Sequence, residues 1–150
     1  MSRTEKAELT VLCLVHKGDC LLLQNRIKAD WKGLALPGGH IEPEESVVDA
    51  VIREMKEETG LDIYEPHLCG IKQFPRSDGG RYLVFLFETE KFSGDIASSC
   101  EGEMLWLDRD EIDDRNSVAD LGALVNMMLD DSKTEFQYIA EGGEWKAIIK

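Results

Sequence analysis

Cationic side chains are scarce in this chain: 17 lysines and arginines stand against 30 aspartates and glutamates, a formal net charge of -13. A protein this acidic repels DNA, RNA and anionic membrane surfaces, so nucleic-acid polymers and membranes are excluded as partners. Histidine is rare, with three residues, and Cys13, Cys20, Cys69 and Cys100 form no C-x-x-C pair. No zinc-ligand spacing results, and the thiols read as small apolar groups of a reducing compartment. Long apolar runs are also missing. The longest, at residues 11–15 and 83–87, have strand length and fall far short of a membrane span. Residues 2–8 are polar and lack the apolar core of a signal peptide, so the expected location is cytoplasmic. What is present is the composition of a folded domain, 43% hydrophobic and 31% charged, with no repeat or linker. One domain over residues 1–150 is expected.

The apolar runs at residues 9–15 and 20–24 read as strands joined at Gly18-Asp19, a hairpin turn signal. A loop over 25–32 carries Arg26, Lys28 and Lys32, and a short strand at 34–36 stops at Pro37-Gly38-Gly39. The strongest helix signal begins near Pro43-Glu44-Glu45 and ends at Thr59-Gly60, where glycine suits a left-handed cap. Residues 67–74, 81–89 and 104–107 read as strands. The unbroken apolar stretch 82–87 is expected to be central and covered on both faces. Helical spacing runs over 117–129, and 136–139 with 145–149 form a final pair of short strands. Strands mixed with two helices predict an α/β domain.

The chemistry is concentrated in residues 39–61. Gly39 is followed by Glu45, Arg53 and Glu54, then by Met55-Lys56-Glu57-Glu58-Thr59-Gly60-Leu61. On a helix, Glu54, Glu57 and Glu58 stand at i, i+3 and i+4 and share one face. Val47, Val48, Val51, Ile52 and Met55 form the adjoining apolar face, with Glu58 at its edge and therefore expected to be partly buried. Convergent carboxylates repel one another and would destabilise a merely structural helix. A hard divalent cation resolves the conflict, because it takes oxygen ligands and shares them with phosphates. Arg53 is suited to hold these carboxylates, and Glu45 to orient Arg53 or to cap the helix. Gly38 and Gly39 let the backbone come close to a metal. A bound cation also reconciles an acidic protein with an anionic small-molecule ligand.

The spacing G-x5-E-x7-R-E-U-x-E-E-x-G-U, with U a bulky aliphatic residue, resembles the Nudix box at every fixed position. The order of hairpin, Pro-Gly-Gly, helix, long apolar strand and Glu103-x-x-Trp106-Leu107 is similar to the whole domain of that family. The resemblance implies an α/β/α sandwich with a mixed β-sheet. It implies Mg²⁺ or Mn²⁺ held by Glu54, Glu57 and Glu58 with the Gly39 carbonyl, and a further acid from Glu101 or Glu103. Glu54, Glu57, Glu58 and Arg53 form the implied catalytic set, supported by Gly38, Glu45 and Gly60. The reaction implied is metal-assisted attack of water on a phosphoanhydride.

Within the family the chain looks most like the MutT type, which cleaves nucleoside triphosphates, oxidised ones such as 8-oxo-dGTP included. Arg26 and Arg81 are then candidate contacts to phosphate or base, with solvated strand-end charge as the alternative for each. Asn116 and Asp120 are candidates for a purine edge or for capping the second helix. Two alternatives accompany this reading. One is another nucleoside diphosphate derivative as substrate: ADP-ribose, a dinucleoside polyphosphate or a nucleotide sugar. The other is a non-catalytic nucleotide sensor. In each case the partner is a small nucleoside di- or triphosphate derivative, and a homodimer is compatible with all of them.

Overall fold

The computed structural model describes residues 3–28, 32–97 and 102–150. Its organising element is strand β1 (Ala7–Lys17), whose centre is buried on both faces. Val11, Cys13 and Val15 face one apolar cluster, whereas Leu12 and Leu14 face another. This double burial is why residues 11–15 are continuously apolar rather than alternating.

β1 turns through Gly18 into β2 (Cys20–Arg26), which pairs with β3 (Gly33–Ala35). Then β4 (Gly38–His40) returns to β1, with Gly39 opposite Val11 and His40 opposite Thr10. Pro37-Gly38-Gly39 is therefore not only a strand stop, as the sequence suggested. Its glycines belong to a strand, because a Cβ on Gly38 would lie 2.0 Å from the Val11 carbonyl oxygen.

Helix α1 (Val47–Thr59) begins later than Pro43 suggested. Ser46 caps it by accepting a hydrogen bond from the Asp49 amide, and Glu44 adopts a left-handed backbone ahead of it. Glu45 thus lies in the preceding turn. The C-terminal end is as expected, with Gly60 at φ 82° donating its amide to the Lys56 carbonyl. Ala50, Val51 and Met55 dock this helix on the sheet.

A two-stranded ladder of β5 (Asp62–Ile63) and β8 (Phe92–Ser93) flanks a long hairpin. That hairpin is β6 (His67–Pro75) and β7 (Arg81–Thr89). β7 runs parallel to β1 over nine paired residues and is central, as its apolar stretch predicted. β9 (Gly102–Asp108) joins β2.

Helix α2 (Leu121–Met128) covers the face opposite α1. It starts after the predicted residue 117 because Ser117 bridges to Leu34 of β3, with the Asn116 carbonyl and the Val118 amide bonded to the Leu34 backbone. β10 (Glu135–Glu141) and β11 (Glu144–Ile149) close the chain as an antiparallel pair. Gly142 and Gly143, both at positive φ, make their tight turn. The sheet order β11-β10-β6-β7-β1-β2-β3, with β4 on β1 and β9 on β2, is mixed and lies between the two helices. This is the expected α/β/α sandwich.

Candidate active site

The acid cluster forms where α1 crosses β4. Glu54 is buried at 9% exposure, Glu58 is half-buried as its position on the helix predicted, and Glu57 is exposed. Arg53 stands among them. Its Nε and Nη2 donate to the two carboxylate oxygens of Glu45 at 2.7 and 2.8 Å. Its Nη1 donates to Glu54 at 3.0 Å and to Glu57 at 3.2 Å. Nη2 also donates to the His40 carbonyl at 3.0 Å. One guanidinium therefore ties two box acids to the turn before α1 and to β4. The planar fork of arginine suits this role; a lysine could not bridge the same set.

The electrostatics follow from the packing. Hydrogen bonds from Arg53 hold the Glu45 carboxyl down to about 2. Glu54 moves the other way: burial raises it, Arg53 opposes that rise, and the Glu57 and Glu58 charges add to it. Gln24, a fully buried polar residue of β2, donates to Glu58 at 3.2 Å. Among the described residues no three Asp, Glu, His or Cys side chains yet converge on one point.

The donors nonetheless suit a hard divalent cation. A Cβ on Gly39 would lie 2.4 Å from the Glu54 carboxylate, so backbone and buried acid share a cradle that only glycine leaves open. Carboxylate and carbonyl oxygens are the ligands that Mg²⁺ and Mn²⁺ take.

The remaining predicted residues divide. Arg26 ends β2 two residues beyond Gln24, and strand alternation puts it on the same side. Glu103 is exposed on β9, and the alternation that turns Met104 toward the α1 side turns Glu103 away from it. Glu101 lies outside the described residues.

Arg81 pairs with Ala7 on β1, four residues from Val11 and so roughly 13 Å along the strand from Gly39. Its guanidinium contacts Glu5 at 2.6 Å and Gln73 at 2.9 Å. The structure does not bring it to the acid cluster. Asn116 and Asp120 do not cap α2 through their side chains. Asn116 is held in its own loop by Glu111 and Asp113, and Asp120 accepts from the Tyr138 hydroxyl.

Sequence reasoning missed an aromatic surface on the α2 face of the sheet, opposite the acid cluster. Tyr82, read as core, is half-buried and stacks on Phe74 at 4.8 Å between centroids with 8° between planes. Tyr138 and Trp145 meet Phe74 edge-on, and His40 meets Tyr82 at 6.4 Å. The rings come from β4, β6, β7, β10 and β11, so no local spacing could reveal them. Gln24 had a weak signal, as the one amide closing the run Leu21-Leu22-Leu23.

Of the four cysteines, Cys13 is buried as expected, Cys20 and Cys69 are half-buried, and Cys100 lies outside the described residues. Cys13 is buried and its thiol is pushed well up, and burial pushes Cys69 up to about 12. Among the described residues no helix is long and apolar enough to cross a membrane.

Residues 6–125 match the family described as NUDIX domain. Over 122 residues the chain is 32% identical to the Nudix hydrolase YvcI of Bacillus subtilis, covering 78% of this chain and 76% of that protein. It is 38% identical over 88 residues to the phosphatase NudJ of Escherichia coli, covering 57% of this chain and 56% of that one. Among solved structures, the MutT protein of Bacillus halodurans is similar with a TM-score of 0.75 at 25% identity, over 95% of this chain and 97% of that one. A MutT Nudix hydrolase of Burkholderia pseudomallei shares the fold with a TM-score of 0.70 at 19% identity, over 81% and 98%.

Proposed function

The chain belongs to the Nudix family and is a pyrophosphohydrolase; we propose that it cleaves nucleoside triphosphates to the monophosphate and pyrophosphate, oxidised purine deoxynucleotides such as 8-oxo-dGTP among them. The observation that carries this reading is the position of His40. Its carbonyl takes a hydrogen bond from Arg53 in the acid cluster, and its ring meets the aromatic surface through Tyr82. The acids lie on the α1 face of the sheet and the aromatic rings on the α2 face, and the two meet at β4 through this one residue, so a nucleotide held at both ends would pass over that strand. The similarity to the MutT protein of Bacillus halodurans over nearly the whole of both chains supports a reading of the MutT type.

Glu54, Glu57 and Glu58, with the Gly39 carbonyl, would hold Mg²⁺ or Mn²⁺. The bound cation supplies neutralisation of phosphate charge and a lowered pKa for water. The chain's own residues prepare that chemistry. Arg53 fixes Glu54 and Glu57, and Glu45 with the His40 carbonyl fixes Arg53 in turn. Gln24 orients Glu58. Arg26 supplies a cation to the phosphate chain from the same side of β2. The proton of the attacking water passes to a carboxylate of the cluster.

The test is a product analysis of purified protein with dGTP, GTP, 8-oxo-dGTP, ADP-ribose, a dinucleoside polyphosphate and a nucleotide sugar, each with Mg²⁺ and Mn²⁺. Monophosphate and pyrophosphate from the triphosphates are expected. A preference for ADP-ribose would overturn the triphosphate assignment and leave the family chemistry in place.

A further inference from the structure

β11 is the last strand of the sheet, and among the described residues no strand pairs with its outer edge. The inner edge decides which backbone groups are left over. Lys150 and Glu135 exchange both of their backbone hydrogen bonds. Antiparallel ladders alternate, so Ile148, Lys146 and Glu144 also bond inward to β10. The N–H and C=O groups of Trp145, Ala147 and Ile149 therefore point outward, where they offer a ladder to another strand.

The side chains along this edge are unusual for a free surface. Trp145 is 58% exposed and Ile149 is 37% exposed, although both are apolar. Among the described residues neither Glu144 nor Lys150 has an ion-pair partner; the Lys150 ammonium donates to the Gln137 amide oxygen at 3.1 Å.

We propose that this edge pairs with the same edge of a second copy, joining two sheets across a twofold axis at Ala147. The run Glu144-Trp145-Lys146-Ala147-Ile148-Ile149-Lys150 is complementary to itself when laid antiparallel about that residue. Ala147 then faces its own equivalent, and Trp145 faces Ile149 of the second copy on either side. Every outward-facing residue enters a reciprocal backbone pair, and the exposed apolar side chains cover one another. On the opposite face Glu144 stands across from Lys150 of the second copy at both ends, a favourable cross-strand pair. Lys146 stands across from Ile148, and its charge is met within its own chain by Glu141 at 3.9 Å. Moving the axis by one residue either way separates Glu144 from Lys150, and an axis at Lys146 sets that lysine against itself. The match is between the strand and itself, which assigns the edge to a second copy rather than to another protein.

Sedimentation velocity and light scattering on the full chain, at physiological salt and up to about 100 μM, test this. The dimer should predominate at the upper end, as a Kd of about 10 μM requires. Glu144→Lys or Lys150→Glu alone should weaken association roughly tenfold or more, since each sets like charges opposite at both ends. The double variant Glu144→Lys/Lys150→Glu should recover the natural affinity. Ala147→Pro should give a monomer, because it removes an outward N–H at the axis and leaves the bonds to β10 alone. A melting curve checks its fold, and if that variant does not fold the charge reversals on exposed side chains decide by themselves. A monomer at about 100 μM overturns the inference and leaves the edge to an extended segment of another protein. A dimer indifferent to these substitutions sits on another surface and overturns it too. A double variant as weak as the single ones would refute the pairing about Ala147.

Discussion

Gly38 and Gly39 are neighbours in one short strand, yet alanine should damage the protein at each in a different way. Neither sits at positive φ, so alanine is conformationally allowed at both, and the difference lies in what the new methyl meets. At Gly38 it meets backbone, the Val11 oxygen at 2.0 Å and the Leu12 Cα at 2.9 Å. Backbone in a central strand cannot yield cheaply, so Gly38→Ala should cost on the order of 2–4 kcal/mol. That corresponds to roughly 5–15 °C in Tm for a domain of this size. At Gly39 the methyl meets only the tip of the Glu54 side chain, at 2.4 to 2.5 Å. The carboxylate must retreat by about 1 Å to reach ordinary contact. A side-chain tip can do so, and the reduced entropy of the unfolded chain returns about 0.4–1 kcal/mol. Stability should therefore change by no more than about 1 kcal/mol. Activity should not survive so well, since a misplacement of about 1 Å in a reacting group is worth roughly a hundredfold. Melting curves and kcat/KM on the preferred triphosphate, measured for both variants, test this. If the two glycines behave alike, or Gly39→Ala keeps kcat/KM within about twofold, then the contact between backbone and buried acid does not shape the site.

Chelation with EDTA should abolish hydrolysis, and Mg²⁺ or Mn²⁺ should restore it; full activity in excess chelator would place the chemistry elsewhere. Glu57→Gln and Glu58→Gln should each lower kcat by orders of magnitude while circular dichroism and Tm stay near native, because charge on a metal ligand acts mainly in the transition state. Arg53→Ala should depress turnover of every substrate alike and cost on the order of 2 kcal/mol in denaturant unfolding, since it strands the buried Glu54; a substrate-selective loss would contradict its role as a support. Lys72→Met should stabilise the protein at neutral pH, because the native state disfavours the half-buried ammonium. A lysine depressed in the fold binds fewer protons there than when unfolded, so stability rises with pH between the two values. The gain from Lys72→Met should therefore shrink as pH climbs toward about 10.4, the value of a free lysine; a gain that is constant over that range would show that packing, not charge, is responsible.

Residues 39–61 could be read directly because everything they determine is local. A helix repeats every 3.6 residues, so the spacing of Glu54, Glu57 and Glu58 fixed their common face before any tertiary contact was known. Gly60 at the end of α1 and the apolar stretch of β7 were legible for the same reason. The start of α1 was less so. Pro43 and the acids after it resemble a first turn, but Glu45 folds back to Arg53 and leaves the cap to Ser46. The long-range partners were beyond any spacing rule. Gln24 reaches Glu58 across 34 residues, and Phe74 stacks on Tyr82 only because β6 and β7 form a hairpin in that register. Lys72 meets Phe136 and Tyr138 because β10 pairs with β6 in parallel, a pairing of segments some 60 residues apart. The sequence by itself thus determined the family, the acids grouped on one helix face and the reaction class, since one helix holds them. Only the tertiary structure decided which aromatic rings come together, since that surface is assembled from five strands whose neighbours are set by sheet topology.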